Sequence, residues 1–378
     1  MAVAHRAGDL AEHVAALRLV DHHVHGAFSV ELDRAAFEAH LNEGSPDPIP
    51  DWMTQFDSQL GFAIRRWCAP VLDLPPHAPA DEYWRRRAEL GVPAVTERFL
   101  RAAGVSDWLV DTGYGADAIL DVDGMAAASG ARAHAVVRLE SLAEEIAADG
   151  VPGRGYADEF AERLERAARG AVAVKSILAY RAGLDIDLSP PAPHEVAEAA
   201  ARWVDAGGTR LTDPVLLRHG LHAAVRLGLP IQIHTGFGDR DLDLHRANPI
   251  HLLDFLRGAG DVPIVLLHCY PYHREAGYLA QAFPNVHFDV GLALNHVGVR
   301  STQVVAEAFE LAPFAKQLYS SDAWGPPELH HLGAVLWRRA VTTVVGRWVD
   351  DGDWAAEDAR RVVDMVGRDN ARRVYRLG

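Results

Sequence analysis

The stretch LRLVDHHVHG, Leu17 to Gly26, sets an aspartate and three histidines directly behind an apolar run. Two readings compete: a His-rich turn at the surface, or the end of a buried strand whose imidazoles face a common centre. In an extended strand, residues two apart share a face, so Asp21, His23 and His25 are expected on one side and His22 on the other. The choice depends on whether the rest of the chain repeats the pattern.

It does. SDWLVDTGYG, ARAHAVVRLE, AVAVKSILAYR, LPIQIHTGFG, VPIVLLHCYP, NVHFDVGLAL and KQLYSSDAWG each join an apolar, often β-branched run to polar or glycine residues, which makes eight such segments with the first. Between them lie SLAEEIAADG, EFAERLERAARG, DPVLLRHGLHAAVRLG, HLLDFLRGAG and REAGYLAQAFP, with apolar residues three and four apart and a Gly or Pro stop, the mark of amphipathic helices. Continuously apolar strands alternating with helices imply a parallel sheet covered on both faces. A count of eight favours closure into an α/β (β/α)8 TIM barrel over an open doubly wound sheet. No GxGxxG follows the first strand, which removes a dinucleotide-binding fold.

The segment from Phe28 to about Arg101 exceeds what a barrel connection needs. Its aromatic and Pro-rich pieces, DWMTQF, RRWCAPVLDLPPHAP and EYWRRRAEL, suggest a helical insertion over the barrel mouth, as a lid or a dimer contact; a separate small domain is the alternative. The tail after Ala334 reads as closing helices, so residues 1–378 are expected to form one barrel unit. With 49% hydrophobic residues among 378, a large core is available, and disorder is excluded. A net charge of -15 argues against nucleic acid or an anionic membrane as partner. Two cysteines, Cys68 and Cys269, provide neither a disulfide framework nor a Cys-rich zinc site. The N-terminus lacks the apolar centre of a secretion signal, and no run reaches membrane-spanning length, so a cytoplasmic protein with a small-molecule substrate is expected, a homodimer by default.

A His-x-His pair at the C-terminal end of a barrel strand can place two ring nitrogens on one metal ion, and that end is where barrel enzymes build their sites. Lys175, His234, His268 and Asp322 end the fourth, fifth, sixth and eighth segments in the same manner. Singly, each has an ordinary explanation: a hydrogen-bonded core histidine, or an Asp at a helix N-cap. Five strands delivering ligand-type residues to one rim point instead to a metal site.

The joint pattern resembles the amidohydrolase superfamily of metal-dependent hydrolases. KSILAYRAGLDID, QIHTGFGDRDLDLHRANPIHLLDFL, HCYPYHREAGYLAQAFPNVHFDVG and YSSDAWGPPELHHLGA are more narrowly similar to the amidohydrolase domain of FluG-type and nodulin-glutamine-synthetase-like proteins. The broader motifs span most of the chain, the narrower blocks about Lys175 to Ala334. No glutamine-synthetase sequence follows, and the 28–101 insertion has no match in the resemblance.

The resemblance implies that His23, His25 and Asp322 bind a first metal, Zn²⁺ by donor type, with Mn²⁺ or Fe²⁺ as alternatives. Asp322 would also take the proton of the attacking water and pass it to the leaving group. His234 and His268 would bind a second metal; in a one-metal variant His234 is a ligand and His268 polarises the scissile group. Lys175 fits the metal set only if carboxylated into a bridging anion, or else it binds substrate beside a single metal. Arg181 is suited to gripping a carboxylate, or is a surface arginine. Arg138 and Glu140 end the third strand and either serve the substrate or pair in a loop. Gly236 and Gly238 allow close backbone approach to a ligand, or make a tight turn. Trp324, Tyr270 and Tyr272 are candidate pocket walls. Cys269, one residue off His268, should point away from the lumen, and His330 and His331 read as structural.

The activity so implied is hydrolysis of an amide or related C–N bond of a small carboxylate-bearing metabolite, γ-glutamyl-linked amides included. Metal-dependent decarboxylation or another lyase reaction, as related barrels carry out, is the alternative. A non-catalytic metabolite-binding barrel is a third reading.

Overall fold

The computed structural model describes residues 2–45, 47–115 and 117–378. Seven parallel strands, β1 Leu19–Val24, β2 Val105–Asp111, β3 Arg132–Arg138, β4 Ala171–Ser176, β5 Ile231–Thr235, β6 Ile264–His268 and β7 Val286–Phe288, run in sequential order around one sheet. Each expected apolar run except the last forms a strand of the sheet. The eighth, KQLYSSDAWG, is irregular, yet it closes the cylinder. Leu318 N donates to Phe288 O at 3.0 Å on the β7 side, while His22 N donates to Tyr319 O at 3.3 Å and His25 N to Ala323 O at 2.8 Å on the β1 side. The fold is therefore a (β/α)8 barrel whose eighth staff lacks ladder regularity. The cause is local: Ser321 N is taken by the Asp21 carboxylate at 3.0 Å, and Asp322 has φ +48°, so the backbone cannot hold an extended pairing.

Helices follow the strands as expected, Leu139–Ala148, Tyr156–Ala168, Pro214–Leu227, Leu253–Gly258 and His273–Ala282 among them. Pro214–Leu227 shows why the punctuation was readable. Asp213 caps its start by accepting from Val215 N, Pro214 occupies the first turn, and Gly228 ends it at φ +78°. Among the described residues no helix is long and apolar enough to cross a membrane.

Inside the barrel, Val20, Leu109, Val136, Ala173, Val265, Leu267 and Leu318 form an apolar layer below the strand ends, plugged by Ala371, Val374 and Tyr375 of the last helix, Asn370–Tyr375. Each fully buried Val or Leu there contributes about 1.5–3 kcal/mol. This dry floor leaves the rim as the place where polar side chains can gather.

The 28–101 segment forms helices Arg34–Ala39, Gln59–Ala63 and Ala80–Ala102 with short tight turns between them. The last of these is broken at Gly91, φ +74°, two residues before Pro93. The segment has its own core, Phe37, Phe56, Ile64, Tyr83 and Phe99, which packs on Leu329, Leu332 and Leu336 of the helix Pro327–Asp350. A buried ion pair fastens the two: Arg87 Nε lies 2.7 Å from Glu328 Oε1, to which Tyr83 OH also donates at 3.1 Å. Removing one charge strands the other in an apolar setting. Glu328→Gln is expected to cost about 3–5 kcal/mol in urea unfolding, and the double substitution Arg87→Met with Glu328→Leu to recover most of it.

Candidate metal centre

Strand β1 departs from simple alternation. Asp21 pairs with Trp108 and Val24 with Val110, so three residue steps on β1 oppose two on β2, which is a β-bulge. The extra residue turns His22 and His23 both into the lumen. His22 Nδ1 meets Tyr375 OH at 3.0 Å in the lower layer, and His23 and His25 face the rim, whereas Asp21 turns outward to Ser321. The expected sharing of one face by Asp21, His23 and His25 is thereby corrected for Asp21 and His22, because the bulge adds one residue to the count.

His268 needs a second device. Val265 and Leu267 point inward, so regular β6 would turn His268 outward; instead His268 and Cys269 take left-handed φ of +67° and +58°. That bend brings His268 Nδ1 to 3.3 Å from Asp322 Oδ2. Cys269 points into the outer core against Thr235, away from the lumen. Non-glycine residues in this region cost of order 1–3 kcal/mol, and they occur here at two of the residues that meet.

Around Asp322 the groups converge. His23 Nε2 lies 3.2 Å and His25 Nε2 4.0 Å from Asp322 Oδ1. The rings of His234 and His268 stand 4.6 Å apart. His23, His268 and Asp322 offer one ligand atom each within 4.8 Å of one another, and so do His23, His25 and Asp111. His234 Nε2, both ring nitrogens of His268 and Asp322 Oδ1 are buried with no hydrogen-bond partner among the described residues. Buried polar atoms without partners are costly, and a cation taking one nitrogen of each imidazole and the carboxylate oxygen would relieve that cost, so the donor set fits a divalent metal.

The electrostatics agree. Burial lowers His25 to about 3 and holds His23, His234 and His268 well below the ordinary imidazole value, which keeps them neutral, as metal ligands must be. Burial raises Asp322 to about 6, and a cation beside it would favour the carboxylate again. Lys175 is lowered by burial, partly offset by Asp111 and Asp322. Its Nζ stands 2.7 Å from His23 Nε2, so amine and cation would compete for one lone pair, a competition that carboxylation of the amine turns into attraction.

Several residues behind this cluster were not singled out in the sequence. Asp111, the last residue of β2, lies 3.7 Å from Lys175 Nζ and accepts from Arg138 Nε and Nη2 at 3.1 and 2.7 Å. Burial opposes its ionisation, but Arg138, His25 and Lys175 outweigh that and hold it below the usual carboxylate range. It ends an apolar run just as the other ligand-type residues do, so the same rule would have found it. Gln232, on β5, gives both its N–H groups away, to His22 O at 2.7 Å and Tyr375 OH at 3.0 Å, and so presents Oε1 to His23 Nδ1 at 2.8 Å. His23 must then carry its proton on Nδ1, leaving Nε2 free for a ligand bond.

A cavity of about 380 Å³ opens above the centre, lined by His25, His234, Lys175 and Asp322 together with Arg138, Arg181, Trp324, Tyr114, Tyr180, Ile177, Glu43, Arg210, Asp239 and Asp241. Arg181 ends a short helix, Leu178–Arg181, and pairs with Glu144 at 2.9 Å. Tyr272 caps the helix His273–Ala282, and Tyr270 stacks near His273; neither lines the cavity. Gly236 does not line it either. At φ +71° a Cβ there would come within 2.4 Å of Tyr270 O, so its glycine serves the turn behind β5. Gly238 packs under the Tyr180 hydroxyl. Glu140 accepts from Ser176 Oγ at 2.6 Å and Ile177 N at 3.0 Å, shaping the bend after β4. His330 Nε2 meets His25 O at 2.9 Å and His331 packs on Phe99.

A barrel with this donor set at its rim defines a class, the metal-dependent barrels, and sequence comparison narrows it. Residues 122–377, well over half of the chain, match the amidohydrolase family, and the chain belongs to that family. It is an enzyme of the metal-dependent amidohydrolase superfamily. Over 222 residues it is 32% identical to the fluG protein of Emericella nidulans, covering 54% of this chain and 26% of the relative, so it spans about a quarter of that protein's length. A crystal structure from Lactobacillus casei ATCC 334, described as that of a metal-dependent hydrolase, superposes with TM-score 0.85 at 28% identity over 97% of both chains. A uronate isomerase of Bacillus halodurans C-125 shares the fold, with TM-score 0.65 at 15% identity over 98% of this chain and 96% of that one.

Because Gln232 sets the tautomer of His23, Gln232→Leu is expected to weaken metal binding roughly ten- to a hundred-fold. Titration of the apoprotein with Zn²⁺ against a competing chelator measures this, and circular dichroism should show the barrel intact.

Proposed function

We propose that the protein hydrolyses an amide or related C–N bond of a small, carboxylate-bearing metabolite, with γ-glutamyl-linked amides as the candidate substrates. The observation that carries this is the meeting of unpartnered, neutral imidazoles with the Asp322 carboxylate at the floor of an open cavity. His23, His25 and Asp322 would hold the metal, with His234, His268 and Lys175 completing a second position or serving a single one. When bound, a divalent cation such as Zn²⁺, or in its place Mn²⁺ or Fe²⁺, polarises a carbonyl and lets water ionise near neutral pH.

The chain's own groups do the rest. Asp322 Oδ accepts the proton of the attacking water as its oxygen bonds to the carbonyl carbon. As the C–N bond breaks, the same carboxyl returns that proton to the leaving nitrogen, so amine and acid are released and Asp322 is regenerated. His268, kept neutral by burial, can hydrogen-bond the carbonyl oxygen while charge develops there. Arg181 and Arg138 line the cavity as fixed cations for a substrate carboxylate, and Trp324 forms part of its wall. The cavity volume of about 380 Å³ suits a metabolite-sized substrate rather than a polymer.

His25→Ala and Asp322→Asn are each expected to abolish release of amine and acid from an amide panel with the barrel still folded; turnover retained in both would contradict the assignment. Release of CO₂ without incorporation of water would replace hydrolysis by a decarboxylase reaction on the same centre. Chelation of the metal should end activity and lower the Tm, because a ligand of the native state adds to its stability. Elemental analysis with intact mass separates two metals and a carboxylated Lys175 from one metal and a free amine.

A further inference from the structure

The large apolar side chains left at the surface are not scattered. Of the nine that stay exposed among the described residues, four, Trp52, Met53, Phe62 and Val299, belong to the insertion and to the turn it packs on. That packing is close: Phe62 sits on the helix Gln59–Ala63, and a Cβ at Gly298 would come within 2.5 Å of Gln59 O. Trp52, 83% exposed, is the most open of the four, in a turn where Met53 N donates to Pro50 O at 2.9 Å. Single exposed apolar residues are ordinary on a monomer, whereas a group of them marks a contact surface.

Val299 opens onto a groove of about 380 Å³ between the helices Ser301–Ala308 and Pro327–Asp350. Ala306, Val344 and Trp348 line it, and Trp348 is backed by Trp354 with ring centroids 4.9 Å apart. Arg300 and Arg347 stand at its edge, and no carboxylate lines it among the described residues. Arg347 is 80% exposed and has Asp351 at 3.3 Å, an i,i+4 pair of the kind that solvent weakens. The turn around Trp52 has the opposite charge, because Asp51 and Asp57 stand exposed beside the indole with no salt bridge among the described residues. Within one chain the indole and the groove do not meet, since Trp52 does not line it. In a chain of net charge -15 a basic groove is the exception, and the acidic turn of another copy matches it in both charge and apolarity.

We propose that this face is the interface of a homodimer in which Trp52 of each copy enters the groove of the other, with Asp51 and Asp57 against the partner's Arg300 and Arg347. Made twice about a two-fold axis, the contact closes and leaves no free groove to extend the assembly. The loop before the turn carries Asp47, which pairs with Arg240 of the loop after β5, so the second copy braces the cover of the cavity without adding a residue to it. The inference is independent of which reaction the centre performs.

Sedimentation velocity of the full chain over a micromolar concentration range tests this. A dimer is expected, and Trp52→Ala should raise its Kd at least about tenfold with the circular dichroism spectrum unchanged. Asp51→Arg with Asp57→Arg, or Arg300→Glu with Arg347→Glu, should weaken it likewise. All four substitutions together exchange the charges across the contact and should restore most of the affinity, which charge changes without a contact between them would not do. A chain that stays monomeric throughout the range, a dimer that Trp52→Ala leaves unchanged, a charge exchange that restores nothing, or an assembly that grows beyond two copies would each overturn the proposal.

Discussion

Asp322 has to stand within reach of imidazoles carried by strands on both sides of it, and the protein bends its backbone to arrange this. The carboxylate sits on the irregular staff between β7 and β1, at φ +48°, with His23 and His25 on one side and His268 on the other. The hydrogen bonds that hold it, Asp322 N to His23 O and His25 N to Ala323 O, are also those that close the barrel. Closure and site assembly are therefore one event. A barrel left open at this seam would lose the carboxylate from its partners, and the imidazoles would have no shared acceptor.

Three departures from regular strand geometry concentrate at this rim: the bulge in β1, the left-handed pair His268–Cys269 and the left-handed Asp322. The first two reverse the direction in which alternation would have aimed a side chain. Such backbone is unfavourable by itself and persists where surrounding packing over-determines it. That packing is present below, in the apolar layer of Val20, Leu109, Val265, Leu267 and Leu318 sealed by Tyr375. Tyr375 also reaches upward: its hydroxyl bonds His22 and Gln232, and Gln232 orients His23. Packing at the bottom of the barrel is so linked to ligand geometry at the top through four named side chains.

The insertion plays a second part. It folds on its own small core, is locked to the helix Pro327–Asp350 by Arg87 and Glu328, and sends Glu43 into the cavity from outside the barrel.

Much of this was written in local sequence. Apolar runs bounded by Gly and Pro marked the strands, Asp213, Pro214 and Gly228 marked a helix from end to end, and His23, His25, Lys175, His234, His268 and Asp322 stood out as polar residues ending buried runs. Those features are legible because they depend on neighbours within a few positions. Which of two adjacent histidines faces inward, whether the eighth run pairs regularly, and that Gln232, Glu43 and Asp239 join the site were decided only in the closed fold. Each of these turns on a bulge, a left-handed residue or a contact between segments far apart in the chain, and such long-range geometry leaves no periodic trace in the order of amino acids.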